Sequence, residues 1–228
     1  MLLRTRSSAP EIMDDAGQTE AAFRTALTNL EWLTRVTLGY RPTLRFLDEV
    51  VARSGARSLS ILDVGAGGGD MLRRIAQWGE RRGIDLTLTG CDLSPWAEQH
   101  AREVGTPAEW ITGDVFALPE GRRFDIILCS LFTHHLNEPQ LVRFLRLVEE
   151  RAVRGWLISD LHRHWLSWAG LWVLVRVTLM DPMVRHDSTV SVARGFVGAD
   201  WDAALSKAGV HAERRWQFPF RWSVAVVR

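Results

Sequence analysis

The chain has 228 residues, 46% of them hydrophobic, enough for one domain with a sizeable core or a domain carrying a lid. A formal net charge of +1 leaves no electrostatic footprint for nucleic acid. The longest apolar stretch, Trp165 to Met180 with Arg176 inside it, is shorter than the roughly 20 residues of a membrane-spanning helix, although an interfacial helix over 165–180 stays open as a peripheral membrane contact.

Residues 1–18 read as a loose leader, and Arg4 and Arg6 without a long apolar core exclude a secretory signal over residues 1–10. Phe23, Leu27, Leu30 and Leu33 recur at helical spacing and predict a helix over residues 19–37. Gly39-Tyr40-Arg41-Pro42 breaks it, and Pro42 sits in the first turn of a second helix, Thr43 to Ser54. Residues 1–54 are therefore a leader and cap helices before a domain over 55–228. The cap helices either cover a ligand or pack on the sheet; Trp32, Tyr40 and Arg41 are their candidates for ligand contact.

The next stretch organises the chain. A strand, Leu59 to Val64, feeds Gly65-Ala66-Gly67-Gly68-Gly69-Asp70, and a helix follows from Met71 to Gly79. Strand, glycine turn and helix open a nucleotide-binding α/β fold, in which the glycines allow a sharp turn and the helix N-terminus offers free N–H groups. A dinucleotide fingerprint requires glycine where Asp70 stands. Asp63 would repel a pyrophosphate but attract an ammonium or a sulfonium, and S-adenosylmethionine carries both. The stretch resembles motif I of the class I S-adenosylmethionine-dependent methyltransferases.

Downstream, Asp85 to Asp92 alternates as a second strand, and its terminal acid is suited to the two ribose hydroxyls of a nucleoside or, alternatively, to capping a helix. Ser94 with Pro95 fits the cap better. Glu109 to Thr112 is a short third strand, followed by Gly113-Asp114-Val115, similar to the family's Gly-Asp-apolar motif at the adenine; a plain turn carboxylate is the alternative for Asp114. Arg123 to Ser130 reads as a central parallel strand, Leu141 to Arg151 as a helix, and Gly155 to Asp160 as the fifth strand. Residues 161–195 are long for a connection and read as a lid insertion with an apolar helix. Asp200 to Ala208 is the last helix, and Val210 to Phe218 with Arg221 to Arg228 form two final strands joined at Pro219.

The resemblance implies a Rossmann-like, mostly parallel seven-stranded sheet with helices on both faces and a terminal antiparallel hairpin. It implies S-adenosyl-L-methionine held by Asp63, Gly65, Ala66, Gly67, Asp92, Leu93, Asp114, Val115 and Ser130, with Arg41 from the cap helices. In that strand order Cys91 and Cys129 lie on strands flanking that of Asp63, roughly 9–10 Å apart, so both are expected as free thiols in a cytoplasmic protein.

Of seven histidines, His134, His135, His162, His164 and His186 fall at the rim beyond the strands' carboxyl ends. Histidine suits proton abstraction from a phenol or alcohol near neutral pH, and His134, His162 and His186 are the candidates, in that order. No compact ligand spacing supports a metal. The general pattern is similar to ubiquinone- and menaquinone-type small-molecule methyltransferases. Residues 160–164 and 185–187 also resemble methyltransferases of phenolic and polyketide natural products. These likenesses imply a small hydrophobic acceptor methylated on oxygen. Trp165, Trp168 and Trp172 either line its pocket or pack the helix. Methylation of carbon or nitrogen, a binding module without catalysis, and an NAD-dependent oxidoreductase are the alternatives.

Overall fold

The structure, a computed structural model, describes residues 3–15 and 17–228. Seven strands form one sheet in the order β3-β2-β1-β4-β5-β7-β6, where β1 is Ser58–Val64, β2 Asp85–Asp92, β3 Glu109–Thr112, β4 Phe124–Ser130, β5 Ala152–Leu161, β6 Glu213–Gln217 and β7 Arg221–Val227. The first five pair in parallel, and β7 runs antiparallel to both neighbours.

Strand alternation sorts the core into two layers. Leu62, Ile127, Trp156 and Ile158 face α5 (Glu138–Arg151) and α8 (Gly198–Ala208) through Phe144, Leu145 and Trp201. Ile61, Ile126, Leu128 and Leu157 face α2 (Arg41–Ser54) and α3 (Asp70–Arg82) through Phe46, Leu47, Leu72 and Ile75. Both faces of the central strands are buried, so those strands read as nearly continuous apolar runs. Cys91 and Cys129 lie on β2 and β4, which flank β1, and both are free and buried.

A third packing unit stands beyond the strand ends. The helices α1 (Glu20–Val36), α6 (Trp165–Val177) and α7 (Pro182–Arg194) share a core of Ala26, Leu33, Val175, Met183 and Val184. Phe23 and Leu27 of α1 also pack on Ala97 of α4 (Pro95–Glu103), tying this cap to the sheet. Residues 161–195 are thus two helices. The second begins where Asp181 accepts from the Met183 N–H and Pro182 occupies the first turn. Among the described residues, no helix is long and apolar enough to cross a membrane.

Three expectations change. The leader is not loose where it is described; Met1, Leu2 and Ala16 lie outside the described residues. The Ile12 and Met13 N–H groups donate to the Asp187 carboxylate at 2.8 and 2.9 Å, and Arg6 donates to the Arg194 and Leu136 carbonyls while lying 4.2 Å over the Phe196 ring. These partners come from sequence positions more than 120 residues away, so no local pattern announces them. Ser94 precedes α4 but its hydroxyl caps nothing; the Ser94 N–H instead donates to Asp92 Oδ1 at 3.0 Å. The sixth strand begins at Glu213, because residues before it leave α8 through Gly209 in a left-handed turn.

Candidate active site

A cavity of about 1130 Å³ opens at the carboxyl ends of β1, β2 and β4, under α1 and α6. Its floor is the glycine turn. The Gly65 and Ala66 N–H groups donate to the Cys91 carbonyl at 2.8 and 3.1 Å, and the Gly67 N–H to Asp92 Oδ2 at 2.9 Å. These bonds fold the turn onto the end of β2. Gly65 has φ 69°, and a Cβ there would lie 2.9 Å from Phe132, so neither the backbone nor the space admits a side chain.

Four acids face this floor: Asp63, Asp70, Asp92 and Asp114. Burial, then the charges of Asp70 and Asp92, push the Asp63 carboxyl well above its ordinary range. Burial and two like charges act on it, with no cation among the groups that influence it, which leaves a buried acid suited to a cationic ligand. Asp92 is likewise pushed up by burial, against the hydrogen bonds it accepts from Ser94 and Gly67. Each of its oxygens keeps a lone pair for a ligand hydroxyl. Asp70 accepts from the Tyr40 hydroxyl at 2.6 Å, and Asp114 caps a short turn through the Phe116 N–H at 2.9 Å. Gly65, Ala66, Gly67, Leu93, Val115 and Ser130 also line the cavity. The glycine cradle and its unpaired acid fit a nucleoside with a cationic tail.

The opposite wall is a buried charge cluster. His134, 3% exposed, places Nδ1 2.7 Å from Asp160 Oδ1 and Nε2 3.5 Å from Glu11 Oε1. Asp160 also accepts from the Thr133 hydroxyl at 2.5 Å and the His134 N–H at 3.0 Å. Burial disfavours the imidazolium, but the charge and hydrogen bond of Asp160, with the charge of Glu11, outweigh it and raise the His134 pKa to about 9. Asp160, which burial alone would push up, is held below its usual range by the same pair. His134 is therefore charged at neutral pH. Glu11 is 6% exposed; the pull of His134 on its carboxyl overcomes burial, so it too stays ionised. Its Oε1 has no hydrogen-bond partner, because 3.5 Å is too long for one.

His135 stands beside them with Nδ1 2.9 Å from Asp14 Oδ2. Glu11, His134 and His135 each offer a ligand atom within 4.8 Å of one another, a grouping that can hold a metal ion and that sequence spacing did not reveal. Arg194 Nε lies 3.9 Å from Glu11 Oε1, so a guanidinium already supplies positive charge there.

Other expected site residues lie elsewhere. Arg41 is exposed at the start of α2 and does not line the cavity. His162 lies just past the end of β5: it accepts from the Trp216 indole N–H at 3.1 Å and packs edge-on against Trp222, outside the cavity. His186 is half exposed on the outer face of α7, whose inner face carries Met183, Val184, Asp187 and Ser188. Trp165, Trp168 and Trp172 share the outward face of α6; Leu166, Ser167, Gly170, Leu171 and Leu174 are the residues that reach the cavity. Trp165 and Trp172 are 63% and 41% exposed. Sequence reasoning missed Glu11 and Arg221. Nothing local marks Glu11, but an arginine between Phe220 and Trp222 in a terminal strand is a buried-charge signal.

Comparison with known proteins bears on the family and the fold. Residues 61–154 match the family described as Methyltransferase domain. A ubiquinone biosynthesis O-methyltransferase of Methylobacterium nodulans is 34% identical over 92 residues, covering 38% of this chain and 34% of the relative. One from Salmonella newport is 30% identical over 149 residues, covering 62% and 59%. The chain thus spans 34% to 59% of the length of these curated relatives. The solved plantazolicin methyltransferase BpumL, in complex with SAH, superposes with a TM-score of 0.64 at 13% identity, over 92% of this chain and 96% of that one. At that identity the likeness concerns the fold.

Proposed function

We propose that this chain, a member of the class I S-adenosylmethionine-dependent methyltransferases, methylates the oxygen of a small apolar acceptor of phenolic or polyketide type. One observation carries the reading. A single cavity joins the glycine cradle and Asp63 on one wall to the Glu11–His134–Asp160 cluster on the other. The names of the curated relatives, ubiquinone biosynthesis O-methyltransferases, support oxygen as the target.

The bound cofactor supplies an electrophilic methyl group on a sulfonium leaving group. The chain's residues do the rest. Asp63 meets the cationic end of the ligand, whose charge favours its ionised form against burial. Asp92 accepts from ribose hydroxyls, and Asp114 with Val115 borders the base. Leu166, Leu171 and Leu174 of α6, with Leu30 and Leu33 of α1, give the acceptor an apolar wall. The acceptor hydroxyl donates to the Glu11 carboxylate, whose Oε1 is left without a hydrogen-bond partner, and its proton moves there as the oxygen attacks. The adjacent imidazolium of His134 stabilises the charge that develops on that oxygen. Asp160 holds the ring in place and keeps it protonated. His134 is thus an electrostatic group, not the free base its pKa would need to permit.

In this reading α6 and α7 act as a lid that closes over the acceptor, and the exposed tryptophans of α6 touch an apolar or membrane surface without inserting. The family assignment is tested by calorimetry: S-adenosylhomocysteine should bind and NAD should not. Incubation with labelled cofactor and a set of phenols then tests the reaction. Cofactor binding with no label transfer to any phenol, amine or enol would make the chain a binding module; NAD binding alone would end the methyltransferase reading.

A further inference from the structure

Arg221 begins β7, paired with Leu161 on one side and Gln217 on the other. It is 4% exposed and lines the cavity, where it is the single lysine or arginine among the described residues. Its guanidinium makes no hydrogen bond or ion pair with any described residue, and Nη1 is fully buried without a partner. Planar and permanently charged, a guanidinium carries five donors, and burying it unpaired is costly.

The surroundings keep it free. Asp70, one of the two carboxylates that influence Arg221, is tied to the Tyr40 hydroxyl at 2.6 Å. Asp160, the other, is committed to His134 and Thr133. The wall behind it is cut away: a Cβ on Gly39 would lie 2.9 Å from Arg221 Nη2 and 3.2 Å from Cζ. The turn between α1 and α2 therefore makes room for this group, yet offers it no acceptor.

We propose that Arg221 is the carboxylate-recognition residue of the cavity, gripping a ligand carboxylate through its forked donors. This deepens the methyltransferase reading and rests on it. Such a carboxylate has two sources. One is the amino-acid end of the cofactor, whose ammonium Asp63 would face, so that a zwitterion meets charges of both signs. The other is an acidic acceptor. The guanidinium satisfies its buried donors only when the carboxylate arrives.

The test compares Arg221→Met and Arg221→Lys with the unaltered protein by calorimetry. The probes are S-adenosylhomocysteine, 5′-methylthioadenosine (which lacks the amino-acid carboxylate), and salicylate or phenol added with S-adenosylhomocysteine. If the cofactor supplies the carboxylate, Arg221→Met should weaken S-adenosylhomocysteine by about tenfold to a hundredfold and leave 5′-methylthioadenosine unchanged. If the acceptor supplies it, salicylate should lose affinity by that factor while phenol and S-adenosylhomocysteine keep theirs. Arg221→Lys, which keeps the charge without the fork, should fall between, and it carries the comparison should the methionine variant fail to fold. Equal affinities for all four probes in the variants, or equal losses for probes with and without a carboxylate, would overturn the proposal. Failure of the unaltered protein to bind either nucleoside would instead strike the methyltransferase reading.

Discussion

His134 Nδ1 lies 2.7 Å from Asp160 Oδ1, with side chains 3% and 0% exposed. The pair joins the turn after β4 to the end of β5, so two strands of the sheet are locked together at the cavity wall by one ion pair. Water is excluded from it, which makes the attraction strong and makes the loss of either partner costly.

The pH dependence of stability follows from that pair. His134 titrates at about 9 in the fold and near its ordinary 6.5 when unfolded. Its contribution is therefore complete below pH 6.5 and lost as pH rises through 9. A shift of that size corresponds to about 3 kcal/mol. Asp160 works in the other direction: its folded pKa is depressed, so its share is lost as pH falls below its ordinary 3.8. Thermal melting between pH 6.5 and 9 should show a falling midpoint, and Asp160→Asn should flatten that fall. A midpoint that stays level in the unaltered protein across this range would contradict a charged His134.

Glu11 should matter to turnover and not to cofactor binding. Its unpartnered Oε1 is the proposed proton acceptor, so Glu11→Gln should lower kcat by about a hundredfold or more, within the range of acid–base contributions, while S-adenosylhomocysteine binds as before. His162→Ala and His186→Ala remove rings that lie outside the cavity and should change kcat less than threefold or so by that logic. A large loss in His186→Ala with an unaffected Glu11→Gln would place the base on α7 after all.

The cap should respond to ligands. Helices α6 and α7 bury Val175, Met183 and Val184 against α1, but Trp165, Val177 and Leu179 are 63%, 75% and 79% exposed. Hydrogen exchange over residues 161–195 should slow when S-adenosylhomocysteine and a phenol bind together, more than with either alone. Equal protection in the free and the doubly bound protein would make the two helices a fixed wall.

The sheet was legible in the sequence because its signals are local. β-type runs alternate with helical periods, and the glycine turn after Val64 needs its glycines for reasons of backbone geometry alone, so β2 and β3 are found at the predicted residues and the strand order puts Cys91 and Cys129 apart. The cradle acids Asp63, Asp92 and Asp114 were legible for the same reason: each stands at a strand end, and a parallel sheet sends all such ends to one rim.

The sequence alone therefore determined the fold class, the cavity's floor and the kind of ligand that floor suits. Only the tertiary structure decided the rest. It brought Glu11 from a segment without pattern to within 3.5 Å of His134, turned His162 and His186 away from the cavity, and put Arg221 rather than Arg41 on its wall. The physical reason is one of range. Periodicity and turn chemistry act over a few residues, whereas the direction of a histidine and the pairing of a buried charge depend on partners well beyond that range, 26 residues away for His134 and Asp160 and 54 for His162 and Trp216, which meet only when the chain has closed around them.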